Sequence, residues 1–152
     1  MKAYIICCLL ISGMLASCNI SPNTKKKNTS YPFTGDYVTE GYSQRAEGYD
    51  WSVVSIYALS DSTSNITVRS RADLKEPTCK FDGIGYVSAS GDTLMTRYDD
   101  GKIYFTLSGD TLHISSDTPH LLSFFCSGGG SLRGDYVKLS DKLDTKQLDN
   151  AQ

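Results

Sequence analysis

The chain has 152 residues, with 15 Lys and Arg against 17 Asp and Glu and a formal charge of −2. A charge so small and so mixed in sign gives no electrostatic case for nucleic-acid binding.

The first segment reads as an export signal. Lys2 supplies the positive start, Ala3 to Met14 is almost wholly apolar, and Ala16 and Ser17 are the small residues of a cleavage site. The apolar run is shorter than the roughly 20 residues a membrane-spanning helix needs. The following "NISPNTKKKNTS" is polar, carries a proline and has no apolar period, so residues 18–30 read as a tether kept extended by Lys25, Lys26 and Lys27.

From Tyr31 onward, short apolar runs alternate with turn residues. Strands are expected at "GDYVTE", "WSVVSIYAL", "ITVRSR", "CKFDGIGYVSA", "TLMTRY", "KIYFTL", "TLHIS", "LLSFFC" and "LRGDYVKL". The "SDSTSN" segment reads as a polar turn, and a bulge is expected at Gly83 or Gly85. "DDGK" and "SGD" between apolar runs are hairpin signals. No segment before Leu139 carries a 3.6-residue apolar period.

The expected fold is therefore all-β, a small antiparallel meander of eight or nine strands over 31–139. It closes into a lipocalin-like barrel or a two-sheet sandwich. "TGDYV" and "RGDYV" at its two ends suggest that first and last strands lie side by side. The repeated "SGDTL" at Ser90–Leu94 and Ser108–Leu112 reads as two equivalent turns. The polar tail 140–152 is expected to fray, with Leu143 and Leu148 able to dock a helical turn.

Cys7 and Cys8 leave with the signal, and Cys18 is claimed below by its own motif. The remaining pair, Cys79 and Cys126, reads as a disulfide in an exported domain. Closing so long a loop stabilises by about 4 kcal/mol on the chain-entropy view.

No catalytic constellation emerges. "CSGGGS" lacks the lysine and following helix of a phosphate-cradling loop, so its glycines read as a hairpin tip. Arg133-Gly134-Asp135 leads straight into "YVKL" and so belongs to a strand, not an adhesive loop. There is no Gly-x-Ser-x-Gly elbow. His113 and His120 have no paired metal-ligand spacing. The chain is expected not to be an enzyme and to need no metal or cofactor.

Three resemblances add to this reading. "LASC" (Leu15–Cys18) resembles the lipobox of bacterial lipoproteins, which implies a diacylglycerol on the Cys18 thiol and cleavage just before it. Several acyl chains, at about 0.8 kcal/mol per buried CH₂, make a stable anchor. Asn19 in place of Asp, and a basic rather than acidic tether, then imply an outer-membrane lipoprotein facing the periplasm. "VSASG" with "RYDDGKIYFTLSGD" resembles a fragment of the membrane-bound inhibitors of c-type lysozyme, which are lipid-anchored eight-stranded barrels. Ser88 and Gly91 match the start of that family's Ser-x-x-Gly-x-x-Tyr motif and are candidate inhibitor-loop residues. Leu94 stands at its tyrosine position and Ser108 at its later lysine. Finally, "DST" and two "DTL" triplets resemble an O-glycosylation signal of exported proteins in one Gram-negative phylum, with Ser62, Thr93 and Thr111 as acceptors.

The expected function is that of a lipid-anchored, non-enzymatic binding protein with a protein partner, in its sharpest form an inhibitor of lysozyme or of a toxin. The alternatives are a lipocalin-like carrier of a small apolar ligand or a structural envelope lipoprotein. A filled interior favours the first and a hollow one the carrier. Trp51, Tyr57, Phe81, Tyr86, Tyr104, Phe105, Phe124 and Phe125 lean toward filled.

Overall fold

The computed structural model describes residues 31–71, 78–99 and 101–148. The signal segment, Cys18 and the tether lie outside the described residues. Eight antiparallel strands form one closed barrel in chain order: β1 (Gly35–Val38), β2 (Ser52–Ala58), β3 (Thr63–Ser70), β4 (Lys80–Val87), β5 (Thr93–Tyr98), β6 (Gly101–Ser108), β7 (Thr111–Ser116) and β8 (Gly134–Lys138). A short 3₁₀ turn precedes β1 at Tyr31–Phe33, and a longer one, Glu40–Glu47, joins β1 to β2. One turn of helix, α1 (Leu121–Phe124), lies between β7 and β8. The all-β meander, the eight strands and the barrel rather than the sandwich follow directly.

Strand alternation sorts the side chains. Tyr37, Val54, Ile56, Ile66, Val68, Phe81, Leu94, Ile103, Phe105, Leu112, Ile114 and Tyr136 point inward and are buried to 3% exposure or less. An eight-stranded barrel is just wide enough for such side chains to fill. Phe33 closes the end where β1 begins, and Leu121, Leu122 and Leu132 close the other. The interior is a packed core.

Gly83 and Gly85 do not make a bulge. β4 pairs with β3 without a skipped residue, from Arg69↔Lys80 to Thr63↔Tyr86. The glycines instead make room inside the wall. A Cβ on Gly83 would stand 2.7 Å from the tip of the Phe81 ring, and one on Gly85 2.6 Å from Ile66 Cδ1.

The barrel closes where the two Gly-Asp-Tyr segments meet, with Tyr37↔Lys138 and Val38↔Val137 in register. The repeat is structural. Tyr37 donates its hydroxyl to the Phe33 carbonyl at 2.9 Å, and Tyr136 donates to the Leu132 carbonyl at 3.0 Å. Each ring thus pins the chain four residues upstream, a tyrosine corner at both ends of the sheet. Burial pushes both phenols up to about 12, helped at Tyr37 by the Asp110 carboxylate.

Further expectations need correction. "LLSFFC" is not a strand. The amides of Leu121 and Leu122 bond back to the Thr118 and Pro119 carbonyls, a helical turn that aims both buried leucines at the open barrel end. The "SDSTSN" turn is tighter than expected, because Ser60 Oγ accepts from the Ser62 and Thr63 amides and lets β3 start at Thr63. The two "SGDTL" turns differ in length. Ser88 N bonds Thr93 O around a four-residue loop, whereas Ser108↔Thr111 flanks only Gly109 and Asp110. They share a left-handed glycine, φ +79° at Gly91 and +60° at Gly109, and an inward leucine, Leu94 and Leu112.

The tail is not frayed through Leu148, nor is it helical. Residues 139–148 strap the outer wall of β1 and β2, where Leu139, Leu143 and Leu148 cover Val38, Tyr42, Trp51 and Val53. Trp51 Nε1 donates to Gln147 Oε1 at 2.9 Å, the Asp144 amide donates to the Tyr42 hydroxyl at 2.8 Å, and Gln147 Nε2 donates to the Arg45 carbonyl at 3.0 Å. The Arg45 guanidinium stacks on Tyr42, 4.2 Å from its ring centre.

Candidate protein-docking face

The wall is incomplete between β4 and β5. Their ladder has two rungs, Tyr86↔Met95 and Val87↔Leu94, although both strands run on from there. Above the second rung no register pair joins Phe81–Gly85 to Thr96–Tyr98. Thr96 Oγ1 reaches across and donates to the Ile84 carbonyl at 3.2 Å.

Strand alternation fixes which backbone groups face this split. Ile84 O accepts from Thr96 on the β5 side, so the Ile84 amide faces that side too. Lys80 N bonds Phe125 O on the same side, because the other side of β4 belongs to β3. Asp82, lying between Lys80 and Ile84 in the alternation, presents its amide and carbonyl to the split as well. On the facing edge, Met95 bonds toward Tyr86, so Arg97 also turns its backbone groups inward.

At its upper end the split is plugged from elsewhere. Cys79 bridges Cys126 in register, Ser127 N bonds Thr78 O at 2.8 Å, and Lys80 N bonds Phe125 O at 2.8 Å. The Cys79–Cys126 disulfide locks this seat. The cysteine pairing expected from the sequence therefore holds a single-bridge segment of the β7–β8 connection, flanked by two backbone hydrogen bonds, against the edge of β4.

Outside the split lies a groove of about 750 Å³ lined by Asp82, Ile84, Tyr86, Met95, Arg97 and Tyr98. Its surface is unusually apolar for an outer wall. Tyr86 is 50% exposed, Ile84 38% and Tyr98 41%. A ladder of edge-to-face rings joins it to the core: Phe81 to Phe125 at 4.9 Å, then Phe125 to Tyr98 at 4.9 Å. Phe124, 69% exposed, continues the patch at 6.2 Å from Tyr98. The Asp82 carboxylate is neutralised by Arg69, 2.7 Å away, which also donates to the Val68 and Phe81 carbonyls. Arg97 has no ion pair among the described residues.

The site residues expected from sequence fall mostly at the barrel end opposite α1. Ser88 and Gly91 lie in the β4–β5 turn, beside the lower end of the groove. The Ser88 hydroxyl is engaged within its own turn, 3.0 Å from Ser90 Oγ and 3.1 Å from Asp92 Oδ1. Hydrogen bonds from Ser90, Thr93 and Ser88 hold the Asp92 carboxyl below its usual range. Ser62, Thr93 and Thr111 stand at the β2–β3, β4–β5 and β6–β7 turns, on that same end, and none is buried. Thr93 Oγ1 donates to Asp92 at 3.0 Å. Cys18 lies outside the described residues.

Other chemistry-bearing groups serve local structure. Asp135 of the Arg-Gly-Asp triplet is in β8, with His113 Nδ1 of β7 at 2.6 Å. Ser127–Ser131 is a surface loop, left-handed at Gly128 and Gly129. At the α1 end of the barrel, a smaller hollow of about 280 Å³ is lined by Thr39, Asp50, Trp51, Ser52, Ser70 and Arg71 among others. Its hydroxyls are engaged with their neighbours: Ser52 Oγ lies 2.8 Å from Ser70 Oγ, which accepts from the Cys79 amide. Among the described residues no three His, Cys, Asp or Glu side chains gather as a metal set.

No family model, curated protein or solved structure matches the chain.

The groove itself was not read from the sequence. A signal was present in "FDGIGYV", where Ile84 and Tyr86 alternate with two glycines: apolar residues on one face of a strand, and no side chain on the other to say which face is inside.

Proposed function

We propose that the chain is a lipid-anchored, non-enzymatic binding protein that takes a protein partner on the outer face of β4 and β5. The observation that carries this reading is the contrast between the two faces of the wall. Inside, Phe81, Phe105, Tyr37 and the aliphatic residues leave packed side chains where a carrier needs a hollow. Outside, Ile84 and Tyr86 beside the half-buried Met95, continued at the barrel rim by Tyr98 and Phe124, form an exposed, largely aromatic patch of the kind that marks interaction surfaces.

The anchor is part of the proposal. Diacylglycerol on Cys18, with the tether beyond it, would hold the barrel at the periplasmic face of the outer membrane. Inhibition of an incoming lysozyme or toxin remains the sharpest form of the function. The Ser88–Thr93 turn favours it, because an exposed loop already tied by its own hydrogen bonds loses little freedom on entering a cleft.

The test is capture of partners from envelope extract and from secretions by the full chain, compared with a Tyr86→Ala/Tyr98→Ala variant of unchanged melting temperature. The proposal expects a protein retained by the parent and lost from the variant. Retention of extracted lipid alone, or equal capture by both forms, would end it. A lysozyme assay unslowed at stoichiometric protein would remove the inhibitor form.

A further inference from the structure

We infer that the partner binds as an extended, acidic segment that adds a strand to β4 in the split between β4 and β5. This rests on the docking face proposed above and specifies its occupant. An apolar patch alone would suit many partners; the backbone beneath it is more selective. Asp82 and Ile84 turn their amides, and Asp82 its carbonyl, toward the split, outside any register pair with β5. A sheet edge of this kind is completed by another extended backbone. Neither a sugar nor a lipid surface supplies alternating amides and carbonyls at strand spacing.

The molecule already uses the same edge in this way. Phe125–Ser127, arriving from a distant part of the chain, pairs with Thr78–Lys80 just above the split. Strand addition at Phe81–Gly85 would continue that seat downward until the first β4–β5 rung and displace the Thr96 side chain, which spans the split to the Ile84 carbonyl. Five residues at about 3.3 Å each set the length of the added segment near 17 Å.

Side chains define its sequence pattern. Alternate residues of the added strand would face outward beside Ile84, Tyr86 and Met95, and these should be apolar or aromatic. Charge is set by Arg97. Asp82 is cancelled by Arg69, and Lys102 lies beside Asp117, whose carboxyl its amide and charge hold below the usual range. The uncancelled cation over the split favours a carboxylate in the partner, with Asp99 limiting this to the lower and middle part.

The probe is a displayed library of random decapeptides panned on the full chain. Enriched peptides are then synthesised with and without N-methylation at alternate amides. Expected are peptides whose alternate, outward-facing positions carry apolar or aromatic residues and a carboxylate for Arg97, which shares the outer face with Met95, with small residues between them. Binding should slow exchange of the Asp82, Ile84 and Arg97 amides and weaken about tenfold on N-methylation, the worth of one or two hydrogen bonds. Ile84→Pro should weaken it similarly while sparing the β3 ladder, which the Ile84 amide does not enter. If that variant does not fold, exposed Arg97→Glu serves instead. No enriched sequence, indifference to N-methylation, protection elsewhere, or retention of oligosaccharide or vesicles in place of peptide would overturn the inference. If partner capture depends on Tyr86 and Tyr98 yet ignores N-methylation, strand addition falls and the docking face stands. If capture ignores the two tyrosines, the face itself falls.

Discussion

The two tyrosine corners make a testable pair. Tyr136→Phe removes a hydroxyl that donates to the Leu132 carbonyl at 3.0 Å from a ring only 3% exposed. Phe fills the same space, so the cost is the hydrogen bond plus the stranded carbonyl, about 1–3 kcal/mol. For a domain of this size that lowers the melting temperature by roughly 4 °C per kcal/mol. Tyr37→Phe should behave alike, and Tyr57→Phe, on an exposed ring, should change little. Alkaline titration supplies an independent readout. Both phenols are raised to about 12, so the folded state holds their protons more tightly than the unfolded chain does. Their stabilising effect is complete below pH 10 and is lost as pH rises from 10 toward 12. The parent should therefore lose stability across that window, and the double Phe variant should lose distinctly less. Chemical denaturation at pH 8 and at steps up to pH 11.5 measures both. A double variant as stable as the parent at pH 8, or an unchanged alkaline limb, would refute the corner argument.

Two further consequences concern the strap and the seat. Trp51 is the chain's single tryptophan and is 2% exposed beneath residues 139–148. Truncation after Ser140 should shift its emission to the red with the barrel still folded, and an unshifted spectrum would show that the strap does not shield it. Cys79→Ser/Cys126→Ser should cost about 2–4 kcal/mol in denaturant unfolding. It should also speed exchange of the Lys80 and Ser127 amides, and a variant indistinguishable from the parent would contradict the role given to the disulfide.

Most of the barrel was legible because its code is local. Alternation in "ITVRSR" and "KIYFTL", the Gly-Asp turns and the paired Gly-Asp-Tyr segments each state a strand, a corner or a closure within a few residues. What escaped depends on partners far away in the chain. "LLSFFC" has strand composition, yet the open barrel end demands two adjacent inward leucines. Leu143, Gln147 and Leu148 look like a polar tail's stray residues until Trp51 and Tyr42 are known to stand outside the wall. The β4–β5 split was hidden for the same reason: nothing in "FDGIGYV" or "TLMTRY" says that the strands part after two rungs, since the segment that seats above them, Phe125–Ser127, comes some forty residues later.

The most direct measurement of the central claim is site-specific photocrosslinking in the cell that makes the protein. A benzophenone side chain would replace Tyr86 or Tyr98 on the proposed face, and Val137, 53% exposed on β8, as the control wall. The account predicts a discrete protein adduct from positions 86 and 98 and none from 137. Adducts to lipid alone, no adduct from 86 and 98, or equal adducts from all three would contradict it.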